Sequence, residues 1–159
     1  MDHYPAGKWG GVAIVADGWV LWIHSSFGAM EDSKSQNLIV YKIFTFDGHP
    51  MIIQTIQDDK TANETIDYFD TEWRLLVLRQ AYPNSKIHLN KPKGLELMLK
   101  LSKKLSESLP FVRTDFYEIN GKVFFSEFTF YSDAGFEPFH PETWDVKLGN
   151  QLVIFDNKK

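Results

Sequence analysis

Two acids and an arginine occupy alternate positions in a stretch that is otherwise mostly aromatic and aliphatic. Arg113 and Asp115 lie on one extended run, and Glu127 and Thr129 on the next, with Asn120-Gly121 between them. Side chains alternate across a strand, so each pair shares a face of its own strand. Whether the pairs share one surface depends on register. A two-residue Asn120-Gly121 turn sets Thr114 opposite Glu127 and parts the carboxylates. A three-residue loop, Ile119 to Gly121, sets Arg113 opposite Glu127 and brings Arg113, Asp115 and Glu127 together. In that second register two carboxylates would repel at close range, and a hard divalent cation held through oxygen ligands would relieve them. Such a cation can bridge phosphate oxygens while the arginine steadies a developing anion. A cross-strand Arg113–Glu127 ion pair on a solvated sheet face is the alternative, and these residues alone leave both open.

The elements that must position these groups are readable from pattern. Residues 111–118 and 122–130 form the hairpin just described. Leu38 to Phe46 and Pro50 to Ile56 form another around Asp47-Gly48, a strong turn dipeptide. Ile66 to Asp70 and Leu75 to Leu78 read as two short strands. Pro92 opens a helix expected to run to about Ser108, with Leu95, Met98, Leu99, Ser102 and Leu105 on one face and Lys100, Lys103 and Lys104 on the solvated one. A short terminal helix starts at Pro141. Val12 to Ile23 suggests one or two strands broken at Asp17-Gly18, and Ser25 to Gln36 reads as loop. The expectation is therefore an α+β fold: a mainly antiparallel sheet, one long helix and a short terminal helix. The span 1–36 differs in character from 37–159 and carries three of the five tryptophans.

Composition narrows the function classes. Thirteen Phe, six Tyr and five Trp favour a half-buried sheet, and would also suit a sugar-stacking face built on Trp9, Trp19, Trp22, Trp73 and Trp144. A formal charge of −4 without a basic stripe argues against nucleic-acid binding. The absence of cysteine excludes disulfides and thiolate metal sites, and the five histidines lack zinc-site spacing. No run approaches the roughly 18 apolar residues of a membrane span. Val12 to Ile23, interrupted by Asp17-Gly18, makes a poor signal peptide. A soluble cytoplasmic protein is expected.

The run RTDFYEINGKVFFSEFTF, Arg113 to Phe130, resembles the metal-binding strand pair of ATP-grasp enzymes, in which an Arg-x-Asp strand precedes one bearing Glu-x-Asn, as in D-alanine–D-alanine ligases. The chain is more similar to the TupA-like ATP-grasp family, linked to teichuronopeptide and cell-surface polysaccharide synthesis. Pro110 to Phe139, then Pro141, Trp144-Asp145 and Leu148-Gly149, follow that family's pattern. So do Tyr41 to Pro50 and Tyr68-Phe69-Asp70 with Trp73. The likeness spans about Met30 to Leu152. It implies magnesium ligands at Asp115 and Glu127, with Thr129 standing where many ATP-grasp enzymes have Asn. It further implies Arg113 on a phosphate or acyl phosphate, Lys42 on a nucleotide phosphate, and the Ser132 to Gly135 loop near the acceptor. The implied cofactors are magnesium and ATP, the partners a nucleotide and small carboxylate and amine substrates, and the activity carboxylate–amine ligation.

Departures from the family pattern shape the remaining expectations. The lysine-bearing strand, Gly-rich loop and hinge of the family's amino-terminal half are not recognisable before Met30, and Asp59-Lys60 replaces an Asp-Arg. That substitution would lose bidentate recognition. A truncated gene, with a partner chain supplying the missing half, is one expectation. A non-catalytic remnant and a carbohydrate-binding module are its rivals. The ligase reading buries Trp73 and Trp144, whereas the carbohydrate reading exposes them.

Overall fold

The computed structural model describes residues 11–16, 19–24, 39–58, 61–131 and 137–153, the first two segments by their backbone. The strands are β1 (Gly11–Ala16), β2 (Trp19–His24), β3 (Val40–Phe46), β4 (His49–Gln57) and β5 (Thr65–Phe69). Helix α1 (Leu95–Leu105) follows, then β6 (Phe111–Ile119), β7 (Lys122–Thr129) and helix α2 (Thr143–Gly149). The seven strands form one sheet in the order β1-β2-β7-β6-β3-β4-β5. All neighbours are antiparallel except β2 and β7, which meet in parallel at Ile23 and Phe125. The α+β expectation holds.

Both expected hairpins form. Asp47 and Gly48 have φ of 46° and 75°, and Asn120 and Gly121 have 53° and 74°. Two successive positive φ values define the turn whose twist matches a two-residue hairpin, which is why Asp-Gly and Asn-Gly stand there. Each hairpin then carries a bulge on its second strand. Phe44 pairs with Ile52 but Thr45 with Pro50, leaving Met51 over, and Asp115 pairs with Glu127 but Phe116 with Phe125, leaving Ser126 over.

One face of the sheet packs on α1. Tyr41, Ile43, Ile53, Phe69, Phe116 and Phe125 meet Leu95 and Met98, and Ser102 of the helix shares a 2.7 Å hydrogen bond with Thr114 of β6. The helix is shorter than expected: Pro92 to Gly94 and Ser106 to Ser108 are turns at its two ends. The predicted apolar face is the one that packs. The opposite face carries Phe44, Phe46, Ile52, Ile56, Ile66 and Tyr68 under Leu78, Phe139, Trp144 and Leu148.

The strand expected at Leu75 to Leu78 does not form. Asp70 Oδ1 accepts the backbone N–H groups of Glu72 and Arg74 at 2.9 and 2.8 Å, reversing the chain immediately after β5. Leu75 then makes a single bridge to Phe69, and the Leu78 N–H bonds back to the Leu76 carbonyl, ending the extension. Among the described residues no helix is long and apolar enough to cross a membrane.

Candidate functional site

The candidate residues stand in two adjacent rows across the middle strands. Lys42 of β3 pairs with Asp115 of β6, which pairs with Glu127 of β7. One row along, Phe44 pairs with Arg113 and Arg113 with Thr129. Directly opposed residues in a ladder project to the same face. All five candidates, Lys42, Arg113, Asp115, Glu127 and Thr129, thus meet on the sheet face away from α1.

Neither anticipated register produces this arrangement. The turn has two residues, which by itself would set Glu127 opposite Thr114 and part the carboxylates. The extra residue Ser126 shifts the remaining strand by one position and turns Glu127 and Thr129 onto the face of Asp115 and Arg113. The correction leaves the convergence intact but changes its cause, and Arg113 faces Thr129 rather than Glu127.

Arg113 grips Asp115 with a two-pronged fork: Nε donates to Oδ1 at 2.8 Å and Nη2 to Oδ2 at 2.9 Å. Nη2 also donates to Thr129 Oγ1 at 2.9 Å and lies 3.8 Å from Glu127 Oε1. Lys42 Nζ is 3.8 Å from Asp115 Oδ2. The depths differ sharply: the Asp115 side chain is 1 % exposed and that of Glu127 61 %. Burial pushes the Asp115 carboxyl above its ordinary range. The Arg113 hydrogen bonds and charge, and then the Lys42 charge, pull it back without cancelling the rise, and Glu127 adds to it.

The donor set suits a hard cation, with two carboxylates and a hydroxyl all offering oxygen. In this structure the cation among those oxygens is the Arg113 guanidinium. Among the described residues no group of three His, Asp or Glu side chains is gathered to hold a metal ion. The fork takes one lone pair on each Asp115 oxygen, so magnesium at Asp115 would share a carboxylate already engaged by Arg113.

Sequence reasoning missed the continuation of the Lys42 row. Gln54 of β4 pairs with Lys42 on one side and Tyr68 of β5 on the other. Gln54 Nε2 donates to Tyr68 Oη at 2.9 Å, Tyr68 Oη to Gln80 Oε1 at 2.7 Å, and Gln80 Nε2 to the Glu137 carbonyl at 3.0 Å. The signal was a glutamine at the centre of an Ile52-x-Gln54-x-Ile56 alternation, where an apolar residue belongs.

Trp73 stacks on Phe69 at 4.1 Å between ring centres, and its Nε1 donates to the Leu89 carbonyl at 3.1 Å. Trp144 packs on the second core with Nε1 bonded to the Val77 carbonyl at 3.1 Å. Both are half-buried, between the burial that the ligase reading expects and the exposure that the carbohydrate reading expects. The side chains of Trp9, Trp19 and Trp22 lie outside the described residues, as do Asp59, Lys60 and the Ser132 to Gly135 loop. In comparison with known proteins, the family model for TupA-like ATPgrasp matches residues 28–153. No curated protein and no solved structure matches the chain.

Proposed function

The chain belongs to the TupA-like ATPgrasp family, and on that premise we propose that its sheet carries the phosphate- and metal-binding part of a carboxylate–amine ligase. The observation that carries the reading is the meeting of Lys42, Arg113, Asp115, Glu127 and Thr129 on one face of three adjacent strands. When bound, magnesium–ATP supplies the phosphoryl group that activates a substrate carboxylate, from which an amine displaces phosphate. Asp115 and Glu127 hold the cation through oxygen, with the Thr129 hydroxyl as a weaker donor. Arg113 transfers its fork from Asp115 to the anion that forms, where a planar five-donor group matches phosphate oxygens. Lys42, already within 3.8 Å of Asp115, supplies a second cation for phosphate. A role in cell-surface polysaccharide or teichuronopeptide synthesis, in the cytoplasm, belongs to the same proposal.

One observation favours a second reading, a non-catalytic descendant of the family. The Arg113–Asp115 fork already satisfies the carboxylate that should hold the metal. Calorimetric titration of magnesium and ATP into the protein and into Glu127→Gln and Asp115→Asn variants separates the two. Saturable binding that is weakened in both variants supports the ligase reading. Absence of binding in the unaltered protein leaves the fork as a purely structural pair.

A further inference from the structure

Beside this site, at the far end of the Gln54–Tyr68–Gln80 hydrogen-bond chain, the sheet face ends in an open hollow of about 330 Å³. Its wall is an antiparallel bridge between two loops. The Arg79 N–H donates to the His140 carbonyl at 3.0 Å, and the His140 N–H to the Arg79 carbonyl at 2.8 Å. Residues exchanging both backbone bonds project their side chains to the same side. Arg79 and His140 thus border the same hollow from one side of the bridge, with Tyr82 and Glu137. Gln80, fixed by Tyr68 and by the Glu137 carbonyl, ties the two loops together.

The charges are arranged for a guest rather than for each other. Arg79 and Glu137 border one hollow with opposite charge, yet no ion pair joins them, and neither side chain has another partner among the described residues. The other described Arg and several Lys and Asp side chains are paired: Arg74 with Asp70, Arg113 with Asp115, Lys104 with Glu107. We infer that this hollow binds a small zwitterion of the amino-acid class. Its carboxylate lies on Arg79 and His140, its ammonium on Glu137, and its apolar stem against Tyr82. A guanidinium fork recognises a carboxylate through two parallel hydrogen bonds. The volume admits one small amino acid with water around it.

The inference stands apart from the nucleotide site, since its test needs neither ATP nor magnesium. Chemical-shift titrations of the full chain would use three probes: L-alanine, propionate and ethylamine. Saturable shifts around 79–83 and 137–140 with L-alanine, and weaker ones with either fragment, are expected. Arg79→Ala should weaken L-alanine binding about tenfold or more, the loss expected for a charge-assisted hydrogen-bond pair. Glu137→Gln should weaken L-alanine but leave propionate unchanged. Both residues are exposed, so melting curves should confirm that each variant folds as the parent does. Propionate binding as tightly as L-alanine would overturn the zwitterion in favour of a simple anion site. L-alanine causing no saturable shift, or binding both variants as tightly as the parent, would overturn the site altogether.

Discussion

Asp115 is held by a fork of hydrogen bonds, yet burial still leaves its carboxyl harder to ionise than in an unfolded chain. The consequence for stability follows from the sign. A folded-state pKa above the unfolded value means that the native protein binds the extra proton. The stabilisation from that proton is complete below the unfolded value of 3.8 and is lost as pH rises through the folded value. At neutral pH the ionised carboxylate therefore weighs against the fold, which is tolerable where a buried charge serves a function. Asp115→Asn removes that cost but leaves the buried Arg113 without its carboxylate, so the melting temperature at pH 7 should fall, measured by calorimetry. Arg113→Met strands the acid instead. A loss of about 3 kcal/mol or more is expected at pH 7, shrinking in acid as Asp115 takes up a proton. Glu127, mostly exposed, should tolerate Gln with a change within about 0.5 kcal/mol.

The elements were legible where local chemistry is strong. Asp47-Gly48 and Asn120-Gly121 marked both hairpins, and the Leu95, Met98, Ser102 spacing marked the packing face of α1. The bulges at Met51 and Ser126 were not legible. Neither has a glycine to announce it, and what selects it is the burial of neighbours on both faces. The single-residue shift at Ser126 decides where Glu127 points, so the site residues could be named from sequence while their register could not. The start of α1 depends on a close approach equally invisible in the chain. Gly94 donates its N–H to Glu118 Oε2 at 2.9 Å, and a Cβ on Gly94 would collide with the Val123 side chain. Gly94→Ala should cost about 1–3 kcal/mol in denaturant titration, the range for forced overpacking. The helix face offers the opposite case. Thr45 is fully buried on β3 and its hydroxyl has no hydrogen-bond partner. Thr45→Val removes that orphan while keeping the shape, and should stabilise the protein by about 1 kcal/mol in the same titration.

At the scale of the whole molecule the candidate site sits on the strands that are hardest to open. β6 lies between β7 and β3, and β3 between β6 and β4, so their amides are bonded on both sides and covered by cores on both faces. The hollow at Arg79 and His140 is built differently. It rests on loops tied by isolated bonds, such as Ile66 N–H to the Pro83 carbonyl at 3.0 Å and the Arg79–His140 bridge, with mostly exposed side chains. Regions with few buried contacts open locally, whereas core strands exchange only on global unfolding. Native-state hydrogen exchange should therefore show β3 and β6 amides tracking global stability, and amides at 79–82 and 140 exchanging through smaller openings. Arg113→Met, by lowering global stability, should speed exchange in β3 and β6 about 100-fold for each roughly 3 kcal/mol lost. The bridge amides of Arg79 and His140 should change little, because their opening does not pass through the unfolded state. Equal acceleration in both regions would mean that the face opens as one unit, and that a ligand bound in the hollow would stabilise Asp115 and Arg113 together with it.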